Sequence, residues 1–173
     1  MGVDVLRGLV RDIPDHPQHG VVFRDITPLL ADAAAFRLAI DGLAEPFAGS
    51  AVSHVVGIEA RGFIVAAPVA HQLRAGFVPV RKAGKLPWRT VAQQYALEYG
   101  TDTLELHVDG VGAGDRVLIV DDVLATGGTA QAAAALVAGT GAEVVGLGFL
   151  IELEFLGGRS RLVHHKIASL LRY

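Results

Sequence analysis

The sequence predicts an α/β fold, a mostly parallel sheet covered by helices on both faces. Two observations lead there. Short apolar runs of strand length recur at 54–58, 77–80, 116–120 and 144–150. They are apolar throughout rather than alternating, as strands buried on both faces are. Segments with helical spacing separate most of them, the rhythm of a parallel sheet. The chain has 173 residues, 51% hydrophobic and 19% charged, which suits a single domain over 1–173 with a sizeable core.

In chain order, Val3, Leu6, Leu9 and Val10 recur at helical spacing and predict a short amphipathic helix. Two prolines and a glycine make 13–20 a loop. Asp32 is placed to cap a helix reaching about Phe47, with Phe36, Ala39, Ile40 and Leu43 on its apolar face. A strand follows at 54–58, a helix at 62–73 and a strand at 77–80. The polar stretch 81–107 breaks the rhythm with Gly84, Pro87 and Gly100. It holds two short alternating pieces, 94–97 and 103–107, and predicts an antiparallel flap inserted between sheet strands. Long connections in compact domains are usually functional. A strand at 116–120, a helix at 126–137 and a strand at 144–150 complete the series.

Composition excludes several functions. There are no cysteines, so disulfides, thiol catalysis, iron–sulfur clusters and cysteine-held zinc are ruled out. The net charge is −3, whereas a duplex nucleic-acid binder usually carries a basic excess. No apolar stretch approaches the ~20 residues of a membrane span. The expectation is a cytoplasmic protein with neither nucleic-acid nor membrane partners. Walker A and Gly-x-Gly-x-x-Gly patterns are absent, which weakens NTPase and dinucleotide readings. His16, His19 and the His164-His165 pair lack acidic partners at ligand spacing, so no protein metal site is predicted.

The strongest signal is the run 117–129. An apolar strand ends in Asp121-Asp122, and Thr126-Gly127-Gly128-Thr129 opens a helix after a short turn. Glycines let a backbone approach a phosphate, and a helix N-terminus favours an anion. The hydroxyls of Thr126 and Thr129 add donors. Paired carboxylates would repel that phosphate, but they suit a pair of ribose hydroxyls or a nearby Mg²⁺. The plainer alternative is a capped helix after solvated aspartates.

This run resembles the phosphoribosyl-pyrophosphate (PRPP) motif of type I phosphoribosyltransferases. Further segments are similar to the adenine-specific branch of that family, in the same order along nearly the whole chain. They are the base-binding stretch 20–28 with Val22-Phe23-Arg24, the pyrophosphate loop Glu59-Ala60-Arg61-Gly62, and the flap with Arg81-Lys82, Lys85 and 95–100. The fold implied is type I phosphoribosyltransferase-like, with an N-terminal hood at about 1–30 and a flap at about 82–107. The activity implied is that of an adenine phosphoribosyltransferase, with Mg²⁺ bound mainly through PRPP and water, and a homodimer as the assembly.

The resemblance also implies roles. Asp121 and Asp122 hold the ribose, and Ala125, Thr126, Gly127, Gly128 and Thr129 hold the 5′-phosphate. Arg61, Arg81, Lys82 and Lys85 meet pyrophosphate, some of them across a subunit interface. Val22, Phe23 and Arg24 take adenine, with Phe23 stacking on the purine. Glu98 assists proton transfer at the purine imidazole, while Tyr95 and Tyr99 help close the flap. Each role has a bland counterpart. Arg61 could pair with Glu59, the flap cations could form a solvated face, Phe23 could be core, and Glu98 could face solvent. Two rival functions remain on the same fold: transfer to another base, and a PRPP-sensing regulator.

Overall fold

The computed structural model describes residues 2–97 and 100–173. From the N-terminus, α1 (Gly2–Gly8) leads to a two-stranded antiparallel ladder of β1 (Arg11–Ile13) and β2 (Phe23–Asp25). Two helices follow, α2 (Thr27–Ala31) and α3 (Ala33–Ala44). Then come β3 (His54–Ile58), α4 (Gly62–Leu73) and β4 (Gly76–Lys82). A hairpin of β5 (Thr90–Ala96) and β6 (Thr101–His107) precedes β7 (Arg116–Leu124), α5 (Gly128–Gly139), β8 (Glu143–Glu152) and β9 (Ile167–Arg172).

The main sheet has seven strands in the order β5-β6-β4-β3-β7-β8-β9. The run from β4 to β9 is parallel, and β6 is antiparallel to both of its neighbours, β4 and β5. Strand β7 shows why both faces are covered. Val117 and Ile119 pack with α5, while Leu118 and Val120 pack with α3 and α4. The two-residue period of a strand thus divides one apolar run between two cores. Helix α5 approaches closely because Ala130, Ala132, Ala133 and Ala134 on it are buried and small.

The hairpin lies at the edge of the sheet, not between its parallel strands, and β6 pairs with β4 through Arg81↔Glu105 and Lys82↔Leu104. Its inner strand is core, with Leu104 and Leu106 buried. Strand β7 runs on to Leu124 rather than stopping at Val120. Its ladder to β3 ends at Gly57↔Val120, whereas its ladder to β8 continues to Leu124↔Glu152. The aspartates are therefore in the strand, on a stretch that β3 no longer flanks. Helix α5 starts at Gly128 rather than Thr126, because Gly127 has a left-handed φ of 82°. Three strands escaped the sequence pattern. Strands β1 and β2 are three residues each and charged, and their register sets Arg11 against Asp25 and Asp12 against Arg24. Strand β9 is a short edge strand with only Leu171 fully buried. Among the described residues no helix is long and apolar enough to cross a membrane.

The Asp32 side chain accepts from the Ala35 N–H at 2.9 Å and caps α3, which packs over the sheet. Asp32→Ala leaves that amide without its partner and is expected to cost about 1 kcal/mol of stability. Urea unfolding checks it, and an unchanged midpoint would show that water caps the helix as well.

Candidate active site

A cavity of about 410 Å³ opens at the carboxyl ends of β3 and β7, between the N-termini of α4 and α5. Ligands bind at this edge in open α/β sheets. Arg61, Lys82, Tyr95, Asp121, Asp122 and the 125–129 turn all line it.

Asp122 is 6% exposed, and its N–H donates to Asp121 Oδ1 at 2.9 Å. Burial, with the adjacent Asp122 charge, pushes the Asp121 carboxyl well above the usual carboxylate range. Arg61 Nε lies 2.7 Å from Asp122 Oδ2. The contact is an ion pair without hydrogen-bond alignment, since Asp122 Oδ2 is buried with no hydrogen-bond partner. A hydroxyl entering the cavity would supply that donor. Arg61 thus pairs with Asp122, not with Glu59. Gly62 makes the arrangement fit, because a Cβ there would lie 2.5 Å from Asp121 Oδ1.

The 125–129 turn forms the opposite wall. Gly127 combines its positive φ with close packing, and a Cβ on it would sit 2.5 Å from the Gly158 carbonyl oxygen. The first amides of α5 have no partner within the helix, and residues 128–130 line the cavity. The wall therefore presents N–H and hydroxyl donors where an anion fits.

The cations are held by carboxylates. Glu59, with a side chain 6% exposed, accepts from Arg81 Nε at 2.8 Å and Lys85 Nζ at 2.9 Å. Burial alone would raise its pKa, but hydrogen bonds from Lys85 and Arg81 outweigh that and lower it. Arg81 and Lys85 stand outside the cavity lining; Lys82 is inside, paired with Asp102 at 2.9 Å. That hydrogen bond raises the Lys82 pKa and lowers that of Asp102. Tyr95 also donates to Asp102, at 3.5 Å.

The hood residues adjoin the cavity without lining it. Arg61 sits over the Phe23 ring, 5.0 Å from its centroid, and His16 meets that ring edge-on. Arg24 donates to Asp12 and lies 4.1 Å from the Tyr173 ring centroid, while Val22 is exposed. Glu98 and Tyr99 lie outside the described residues. The sequence pattern left two site residues unnamed, Asp102 and Gly158 behind the turn, and did not disclose the steric role of Gly62. The Gly157-Gly158 pair was the one available signal for Gly158. Among the described residues no cluster of three or more acidic or histidine side chains could hold a metal. The Asp121–Asp122 pair is the donor set at the cavity suited to a hard cation.

Residues 29–168 match the family model of the phosphoribosyl transferase domain. The chain is 63% identical to adenine phosphoribosyltransferase of Acidothermus cellulolyticus, over 94% of this chain and 92% of that one. Its structure resembles the crystal structure of adenine phosphoribosyltransferase from Rhodothermus marinus, with a TM-score of 0.95 and 53% identity, covering 99% of this chain and 98% of that one. It also resembles the Saccharomyces cerevisiae enzyme in complex with an imino-altritol bisphosphate and adenine, with a TM-score of 0.92 and 38% identity over 98% of each chain.

Asp121 ionises less readily in the folded chain than in the unfolded one. The fold therefore loses stability as pH rises from the ordinary carboxylate range through the raised value. Asp121→Asn removes that loss. At neutral pH the variant should melt above the parent. The gap should close as pH falls toward the ordinary carboxylate value. Melting curves across pH test this, and a variant that melts lower at neutral pH contradicts it.

Proposed function

Because the chain belongs to the phosphoribosyl transferase family, we propose that it transfers the 5-phosphoribosyl group of PRPP to adenine. The products are AMP and pyrophosphate, and the reaction is one of purine salvage. One observation carries the reading: the Asp121–Asp122 pair, with Asp122 buried, faces the Gly127 turn across a single cavity. That juxtaposition suits a ribose that bears a phosphate. The choice of adenine is supported by the close relative from Acidothermus cellulolyticus and by the adenine held in the yeast enzyme.

In this reading Asp121 and Asp122 accept hydrogen bonds from the ribose 2′- and 3′-hydroxyls, and Asp122 Oδ2 gains the donor it lacks. Ala125, Thr126, Gly127, Gly128 and Thr129 hold the 5′-phosphate and so fix the anomeric carbon for attack. The bond from that carbon to the pyrophosphate oxygen breaks, and its electron pair leaves with pyrophosphate. A purine nitrogen forms the new bond and gives up its proton, assisted by Glu98. Arg61 and Lys82 stabilise the departing charge, joined by Arg81 or Lys85 as one of them turns from Glu59 while the other stays. Phe23 stacks on the base, the Val22–Arg24 backbone reads its edge, and Tyr95 and Tyr99 close the flap against water. Asp121 and Asp122 are the side chains that would face a Mg²⁺ ion bound with PRPP, which would supply charge neutralisation for the leaving pyrophosphate. The hood spans about 1–30 and the flap about 82–107 of one domain, the assembly is a homodimer, and the compartment is the cytoplasm.

A panel of bases with PRPP and Mg²⁺ tests the function. AMP should form with adenine, and hypoxanthine, guanine, xanthine and orotate should react poorly. Equal or better turnover of another base would reassign the specificity, and no turnover with salt-sensitive DNA or RNA binding would favour a regulator.

Glu98 has its own test. General acid–base help is typically worth ~10²–10⁴-fold, so Glu98→Ala should lose at least about tenfold in kcat and kcat/KM together. AMP binding should change little. Single-turnover rates expose the chemical step when product release is slow. Rescue by Glu98→Gln would reduce the residue to positioning, and parent rates in both variants would place it in solvent.

A further inference from the structure

We infer that the Glu152–Arg159 ion pair, outside the cavity, sets the position of the 5′-phosphate turn through the backbone of Gly158. The inference rests on the reading of residues 125–129 as the phosphate site. Neither Glu152 nor Arg159 lines that cavity, so both are positioning residues.

The connection is short. Glu152 ends β8 and is 3% exposed. It stands in register with Leu124, the residue just before the turn, and the Leu153 N–H donates to the Leu124 carbonyl at 2.9 Å. Arg159 grips Glu152 with a two-pronged contact, Nε to Oε1 at 2.8 Å and an Nη2 to Oε2 at 2.6 Å. Arg172, on the neighbouring β9, adds a charge 3.7 Å from Oε2. The hydrogen bonds from Arg159 outweigh burial and hold the Glu152 carboxyl below the usual carboxylate range.

Arg159 follows Gly158 directly in the 3₁₀ segment Gly158–Leu162, whose far end is pinned by the buried Leu162. Gly158 is the back wall of the turn. A Cβ on it would lie 2.9 Å from the Gly127 nitrogen and would overlap the Ala125 carbonyl. The Gly127 peptide therefore cannot shift backward unless the Gly158 segment moves, and Arg159 prevents that movement. A well-packed apolar pair could have filled the same volume without the cost of desolvating two charges. The planar fork adds orientation, because it fits carboxylate oxygens in one geometry. A phosphate read by backbone amides needs its turn held to within about 0.5 Å.

Titration calorimetry of AMP and adenosine against parent, Arg159→Ala and Arg159→Lys decides the matter. The Arg159 side chain is 39% exposed and Arg172 still faces Glu152 in Arg159→Ala, while Arg159→Lys keeps the charge and removes the fork. AMP should bind Arg159→Ala about tenfold more weakly or worse, with adenosine unchanged to within about twofold. Arg159→Lys should show the same selective loss, smaller in size. Parent-like AMP binding, or equal loss for AMP and adenosine, overturns the buttress. A parent protein that binds adenosine as tightly as AMP instead overturns the phosphate reading on which the inference stands.

Discussion

The Arg61–Asp122 ion pair joins three parts of the molecule that the sequence keeps apart. Asp122 belongs to β7, Arg61 to the turn between β3 and α4, and Phe23, under the Arg61 guanidinium, to the N-terminal ladder. The pair also answers an electrostatic problem. Two adjacent carboxylates in a buried strand repel each other, and burial amplifies the repulsion. The nearby guanidinium compensates one of them, while the raised proton affinity of Asp121 reflects first its burial and then the Asp122 charge. The rest of the site can be ordered around this contact: the paired carboxylates on one side, the cations on the other.

The remaining cations follow the same pattern with different consequences. Lys82 and Asp102 are partly exposed, so their pairing is weak and readily exchanged for a multiply charged ligand. Glu59 is 6% exposed and differs. Stripping a buried carboxylate of all its partners is costly, and Glu59 has two, Arg81 and Lys85. Either cation can turn to an anion while the other keeps Glu59 compensated. Glu152 is equally buried, and its cations lie away from the cavity where no ligand competes for them.

What the sequence made legible was whatever depends on nearby residues. The apolar runs at 54–58 and 116–120 announce strands buried on both faces, and Asp32 before an amphipathic stretch announces a helix start. The Asp121-Asp122 and Thr126–Thr129 cluster is contiguous and so could be seen whole. The parts that stayed hidden are contacts between distant segments. Strands β1 and β2 are held by Asp12 with Arg24 and Arg11 with Asp25, a match of charges that has no period within either strand. That β7 continues past Val120 depends on β8 remaining beside it after β3 has stopped. Gly158 looks like a turn glycine until Gly127 is found against it. For Arg61 the one ion-pair partner visible in the sequence was Glu59, its near neighbour, because Asp122 comes so much later.

The flap hairpin is only half a flap. Its inner strand β6 is hydrogen-bonded to β4 and buries Leu104 and Leu106, so it is mortared into the wall. Strand β5 is the outermost strand, with β6 as its one neighbour in the sheet. Lys82 and Asp102 thus stand on the doorpost, while Tyr95 rides on the leaf. Any swing of that leaf changes the width of the entrance and loosens the Tyr95 hydrogen bond to Asp102, while the Lys82–Asp102 pair itself stays on the wall. A molecule entering the cavity meets its ionic surroundings before the door has shut, so recognition of charge and exclusion of solvent are separable events in time.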